Sequence, residues 1–275
     1  MSILELTIIE KSIIDLQIVE KANPFHDKRG RFTFAPDKGF AAGGGTNNSM
    51  LRTDPPPKNT IKAYKVFVLK NGGLYPPMVA NPGAQATPVG VWLDASEGER
   101  ARNADGSVKT NTIGRERVKA GGKGTQGGSG DLAFRPGWHL GDLPIADQFK
   151  TTDKKTGEKM WKKNFVWAEC DIAADVDYQK EAMSYGYNKN GNFVHQLAGL
   201  PKLPKDGYYV YRTNPDPNTR PWYITGAMKV NRILTDAEVT SILAKAGIEN
   251  RRRVGGELTA EKLKGMGLDK LDFTQ

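Results

Sequence analysis

Asn164-Phe165-Val166-Trp167-Ala168-Glu169-Cys170-Asp171-Ile172 is the stretch whose reading decides the fold. Phe165, Trp167 and Ala168 sit in a β-rich run bounded by polar turns, which predicts a strand with buried side chains. Glu169 and Asp171 stand at i and i+2, so both carboxylates point to one face. Paired carboxylates can bind a metal or serve as acid and base. No lysine follows to complete a nuclease-like set, and a solvated outer face is the expectation.

Working outward, residues 150–163 read as a basic hairpin with its tip at Thr156-Gly157. Ala63 to Lys70 alternates and predicts a first core strand; Asn71-Gly72-Gly73 makes a turn, and Leu74-Tyr75 starts the next strand. Further strands are expected over Thr87–Asp94, Ala133–Leu140, Tyr208–Arg212 and Trp222–Val230, with a short helix from Pro144 to Phe149. Residues 97–131 hold few apolar side chains and many glycines, which predicts an extended loop or lid. Thr235 and Glu238 form a capping box ahead of Val239, Ile242, Leu243 and Ala246 at helical spacing, and Gly247 ends that helix. The pattern is α+β: a mixed or split antiparallel β-sheet with few short helices over residues 61–248.

The flanks differ in composition. Residues 1–22 carry paired β-branched side chains whose spacing fits a hairpin as well as an amphipathic helix. Residues 23–60 include Gly43-Gly44-Gly45 and Pro55-Pro56-Pro57 and read as a flexible linker arm. Residues 249–275 read as a charged C-terminal tail with a short helix after Thr259.

With 275 residues and 38% hydrophobic content the chain is large enough for one sizeable core. No stretch approaches the roughly 18 apolar residues of a membrane span. Glu5, Glu10 and Asp15 interrupt the apolar N-terminus, so a secretory signal is not expected. The single cysteine, Cys170, excludes an internal disulfide and a cysteine-based zinc site, fits a reducing compartment and is expected to be a small buried side chain. The net charge of +9 and pI near 9.4 favour anionic partners: nucleic acid, nucleotides or acidic protein surfaces. The basic residues cluster at 150–163, at Arg115, Arg117, Lys119 and Lys123, and at Arg251–Arg253. Of these, Lys154, Lys155, Lys162 and Lys163 are the candidate nucleic-acid contacts.

Two segments carry resemblances. Asn23-Pro24-Phe25-His26-Asp27-Lys28-Arg29-Gly30-Arg31-Phe32 resembles a short segment of bacteriophage head-associated and portal-linked proteins, where it precedes a variable effector domain. That resemblance implies a phage-encoded accessory protein, packaged in the virion or expressed early, acting in the host cytoplasm on or against a host component. The middle of the chain resembles the ADP-ribosyltransferase superfamily in the order of three segments: Ala63-Tyr64-Lys65-Val66-Phe67, then Pro136-Gly137-Trp138-His139-Leu140-Gly141 with Ala146 beyond, and Trp222-Tyr223-Ile224-Thr225. This implies a split sheet that clamps the nicotinamide of NAD. The first strand lacks the family's Arg or His and the late strand lacks its Glu. The resemblance therefore implies His139 and Thr225 as the polar groups near the ribose, Tyr208 and Tyr211 as stacking rings, and Arg212 as a phosphate ligand. The alternative is a non-enzymatic virion protein that binds DNA through its lysine clusters.

Other candidates are weaker. Gly121 to Gly128 lacks the spacing of a phosphate-binding P-loop and reads as a flexible loop that forms a backbone nest only on ordering. His139 and His195, without a nearby carboxylate motif, do not suggest a metal site. Tyr185, Tyr187 and the tyrosines of 208–211 stack on bases or a nicotinamide, or serve as ordinary strand and turn residues.

Overall fold

The structure is a computed structural model that describes residues 50–121, 130–146, 149–212 and 220–268. The first 49 residues, the 23–32 segment among them, and most of the Gly121–Gly128 loop lie outside the described residues. The strands are β1 (Thr60–Lys70), β2 (Gly73–Tyr75), β3 (Trp92–Asp94), β4 (Arg117–Ala120), β5 (Gly130–Ala133), β6 (Trp138–Gly141) and β7 (Lys150–Thr152). They continue as β8 (Lys159–Trp161), β9 (Phe165–Ala173), β10 (Val176–Asp177), β11 (Gly207–Tyr211), β12 (Trp222–Thr225) and β13 (Ala227–Ile233). Among the described residues the α-helices are α1 (Gln179–Ser184), α2 (Asp236–Lys245) and α3 (Ala260–Gly265).

Nine strands form one sheet in the order β10-β11-β12-β6-β1-β9-β13-β3, with β2 paired to β1. Every pairing is antiparallel except β10 with β11, so the sheet is mixed and the class is α+β. β1 and β9 form its spine, in continuous register from Thr60↔Ala173 to Val68↔Phe165. Central strands are covered on both faces, and so β1 is buried from Ala63 through Val68 without the polar alternation of an outer strand.

The alternation instead sorts side chains between two cores. Ala63, Phe67, Leu93, Val166, Ala168, Cys170, Met228 and Val230 face one side, where Met50, Leu258, Leu263 and Leu268 pack against them. The opposite side is covered in two separate places. Val239 and Leu243 of α2 lie over Tyr64, Val66, Phe165 and Trp167. Ala182 of α1 lies over Tyr209, Tyr211 and Ile224. β6 runs between these two clusters, and that gap positions the candidate site.

Several expectations are corrected. The strand expected over Thr87–Asp94 is confined to Trp92–Asp94, because Pro88 has no N–H to give a ladder and Gly90 turns the chain with φ of 79°. Residues 97–131 are not a bare loop. β4 pairs with β5, and bridges Arg100↔Val118, Arg102↔Val108 and Thr110↔Glu116 stitch the preceding turns. Backbone pairing holds this region, and among its described residues Ala101 and Val118 are the buried apolar anchors, with Phe134 just beyond it. Pro144–Ala146 is not helical, and residues 147–148 lie outside the described residues.

Both domain boundaries also move. The linker expected through residue 60 ends earlier, since Met50 is buried and the Arg52 guanidinium is clamped between Asp94 and Asp206. Residues 249–268, expected as a tail, belong to the core. Leu258, Leu263 and Leu268 are buried, and the Arg253 guanidinium meets the Asp236 carboxylate in a bidentate pair at 2.6 and 2.8 Å. Their five-residue spacing fits neither helix nor strand periodicity, so it gives no sequence signal. The capping box at Thr235 and the short helix after Thr259 form as expected. The hairpin at 150–163 forms as β7 and β8 around a turn in which the Asp153 carboxylate accepts from the Lys155 and Thr156 amides.

Candidate functional site

Trp138 and Leu140 send their side chains into the first core, so His139 between them points to the other face, into the gap between the α1 and α2 clusters. The result is an exposed histidine on a central strand. Its Nε2–H donates to the Arg135 carbonyl at 2.9 Å, which leaves Nδ1 as a free-facing acceptor. The ring is accessible from one side and walled by protein on the others. Loss of hydration, and then the positive charges of Lys65 and Arg135, push its pKa down to about 4, against a favourable contribution from the Arg135 carbonyl. Solvent on the open side offsets part of that loss. The ring is neutral at pH 7 in either case.

On one flank of His139 lies a pair of arginines. Arg135 places its guanidinium 3.8 Å from the centre of the Tyr211 ring and donates to the Gln196 and Ala198 carbonyls. Arg115 donates to the carbonyls of Phe134, Leu197, Gly199 and Leu200. Burial, and then repulsion from Arg135, hold Arg115 down to about 10. Neither arginine joins a salt bridge among the described residues, so positive charge is left unneutralised beside His139. Gly199 makes room for this arrangement, because a Cβ there would stand 3.2 Å from both Arg115 Nη2 and the Tyr209 hydroxyl.

On the other flank stand Tyr64 of β1 and, across it, Glu169 of β9. Burial, and then the Glu169 charge, raise the Tyr64 pKa. Glu169 is only 14% exposed and is held by Lys62 at 3.3 Å and Arg232 at 3.6 Å; Asp171 is paired with Lys229 at 3.4 Å. These carboxylates are half-buried ion-pair partners rather than the solvated outer face expected from sequence. β1 separates Glu169 from His139.

The structure brings some of the other candidates together and separates others. Tyr211 shares the face of His139 and is linked to it through Arg135. Its ring stacks on His195 at 5.7 Å and 19°. Tyr208 points to the opposite face, where it meets Tyr223 edge-on at 6.0 Å. Thr225 is fully buried, and its hydroxyl lies 2.9 Å from the Gly207 carbonyl, to which it donates, with further main-chain contacts. It is a backbone tie at the end of β12. Arg212 offers its carbonyl to His195 Nε2–H at 2.6 Å. Lys154, Lys155 and Lys163 are exposed around the β7–β8 hairpin, while Lys162 lies over the Phe165 ring at 5.2 Å. Cys170 is buried without exposure, and its thiol is pushed up by loss of hydration.

Sequence reasoning missed Arg115 and Arg135. In the sequence Arg115 stands in a basic cluster with Arg117, Lys119 and Lys123, and Arg135 carries no motif. The only local signal was the proximity of Arg135 to the Pro136–Gly141 segment. Among the described residues no helix is long and apolar enough to cross a membrane. No family model matches the chain, and neither a curated protein nor a solved structure does.

Proposed function

We propose that the chain is a phage-encoded accessory protein, carried in the virion or made early, that acts on or blocks a host component in the host cytoplasm. In this reading the gap over β6 holds an NAD-type dinucleotide in the manner of an ADP-ribosyltransferase-like domain. The observation that carries it is the neutral, accessible His139 beside unneutralised Arg135 and the Tyr211 ring. A dinucleotide needs an aromatic surface, donors for its pyrophosphate and a polar group near a ribose, and these are three such groups. The segments that carry the superfamily resemblance also lie side by side, on β12, β6 and β1. Glu169 shares the face but stands two strands from His139 and is tied to Lys62 and Arg232. Cofactor binding with slow or absent transfer is the expected behaviour.

Calorimetry with NAD tests this. Heat of binding that disappears in His139→Ala and Arg135→Ala supports the reading, and label moving from NAD to a host-lysate protein extends it to transfer. Absence of heat at high NAD concentration removes it. A second reading rests on Lys154, Lys155, Lys162 and Lys163 at the β7–β8 hairpin, which would contact DNA phosphates. Replacing the four with Glu should then abolish duplex binding, and binding should fall steeply with salt.

A further inference from the structure

A continuous strip of rings leads from the surface to Arg135. Tyr187 and Phe193 pair across the turn at Asn188–Asn192, with centroids 5.4 Å apart at 74°. Phe193 meets His195 at 6.4 Å, His195 stacks on Tyr211 at 5.7 Å, and the Arg135 guanidinium closes the strip 3.8 Å above Tyr211. The outer end is open to solvent: Tyr187 is 59% exposed, Tyr185 44% and Phe193 41%. A hollow beside it is lined by Lys180, Met183, Ser184, Tyr187 and Phe193. Contiguous exposed apolar rings mark an interaction site.

The charge around the strip selects the partner. From Tyr178 to Lys202 the one acidic residue is Glu181, and Lys202 neutralises it at 2.9 Å. Lys180 and Lys189 are exposed and make no ion pair among the described residues. Ring faces flanked by unneutralised cations suit a polyanion that carries its own planar groups. In a duplex the base faces are stacked on one another and closed to protein rings; in a single strand they are open.

We infer that this strip is a binding track for single-stranded nucleic acid, with Tyr187 and Phe193 stacking on bases and Lys180 and Lys189 meeting phosphates. The inner end of the strip, Tyr211 and Arg135, borders the proposed cofactor gap, but the residues that meet bases and phosphates lie at its outer end, on a surface distinct from the β7–β8 hairpin. Gly186 is part of the track, because a Cβ on it would fall 2.2 Å from the Phe193 ring. Only glycine lets that ring lie against the chain.

The test is fluorescence anisotropy of the full chain with labelled oligothymidylate of about 12 nucleotides, the matching oligouridylate and a duplex of equal length. Single strands should bind more tightly than duplex. Tyr187→Ala/Phe193→Ala should weaken single-strand binding by about tenfold or more. Both rings are exposed, so that variant should keep its far-ultraviolet circular dichroism and Tm. Gly186→Ala should weaken binding without removing a ring, and Lys180→Glu/Lys189→Glu should flatten the salt dependence between roughly 50 and 200 mM. Unchanged affinity in the double ring variant, equal binding of duplex, or no single-strand binding at low salt each overturns the inference. So does sedimentation showing self-association that the ring variant abolishes, because the patch would then be a contact between copies. Loss of NAD heat in His139→Ala with unchanged single-strand binding separates this track from the proposed cofactor gap.

Discussion

Lys65 is buried on the central strand, with no carboxylate in ion-pair contact among the described residues. Its Nζ donates to the His139 carbonyl at 2.9 Å and lies 5.6 Å from the centres of the Phe67 and Trp138 rings. Burial lowers its pKa from 10.5 to about 8. At pH 7 the amine is charged in both folded and unfolded chains, and the folded chain bears the cost. As pH rises through 8 the folded amine gives up its proton while the unfolded one keeps it to 10.5, so stability rises across that window. Lys65→Met is expected to stabilise the fold at pH 7 by up to about 3 kcal/mol, with the advantage fading by pH 10.5. Urea unfolding of both chains at several pH values measures it. Asp236 is the opposite case. It satisfies the buried Arg253 and the Leu258 amide, so Asp236→Asn leaves a buried cation unpaired and should cost roughly 3–5 kcal/mol. Pairing it with Arg253→Met should recover most of that loss. Loss of hydration holds the His139 pKa below its ordinary 6.5, so the ring should be neutral at pH 7 and titrate below 6.5 when followed by nitrogen-15 resonances. The unfolded ring takes its proton first, so this residue's contribution to stability is lost as pH falls from 6.5 towards 4.

At the scale of elements, β6 and α2 place the site. Gly137 enters β6 with φ of 135°, and a Cβ there would stand 2.7 Å from Ile224 Cγ2 and 3.0 Å from the Thr225 carbonyl oxygen. Gly137→Ala should lower Tm and shift the His139 resonances together, because the same displacement moves both. Thr235→Ala removes the α2 cap and should cost about 1 kcal/mol without touching His139. The elements that were legible in the sequence have local causes. The β9 run is dense in apolar side chains, and the Thr235–Glu238 box satisfies the helix's own amides within one turn. What was not legible depends on distant partners. Arg115 looks like any surface arginine until the carbonyls of residues 197–200 come to meet it. Glu169 and Asp171 looked solvated because Lys62, Arg232 and Lys229 come from other strands. The alternation in β1 gives two faces but not the gap above one of them. That gap exists because α1 and α2, far apart in sequence, leave β6 uncovered.

At the scale of the whole molecule, the C-terminal segment completes the core. Deleting the residues beyond Asn250 removes Arg253, Leu258, Leu263 and Leu268, which strips one face of the sheet and leaves the Asp236 carboxylate buried and unpaired. Such a chain should show no cooperative unfolding transition by near-ultraviolet circular dichroism; a sharp transition near the full-length Tm would show that the segment is dispensable. The sheet order has a further consequence, in time rather than space. β1 leaves the ribosome first, while its longest partner, β9, begins about a hundred residues later. At roughly 5–20 residues per second, β1 waits on the order of 5–20 s with the edge that β9 will take open, the other edge covered only at its end by β2, and apolar side chains on both faces. Segments made in the interval, β6 above all, or a chaperone must cover it. The centre of the finished sheet therefore joins two strands made about a hundred residues apart.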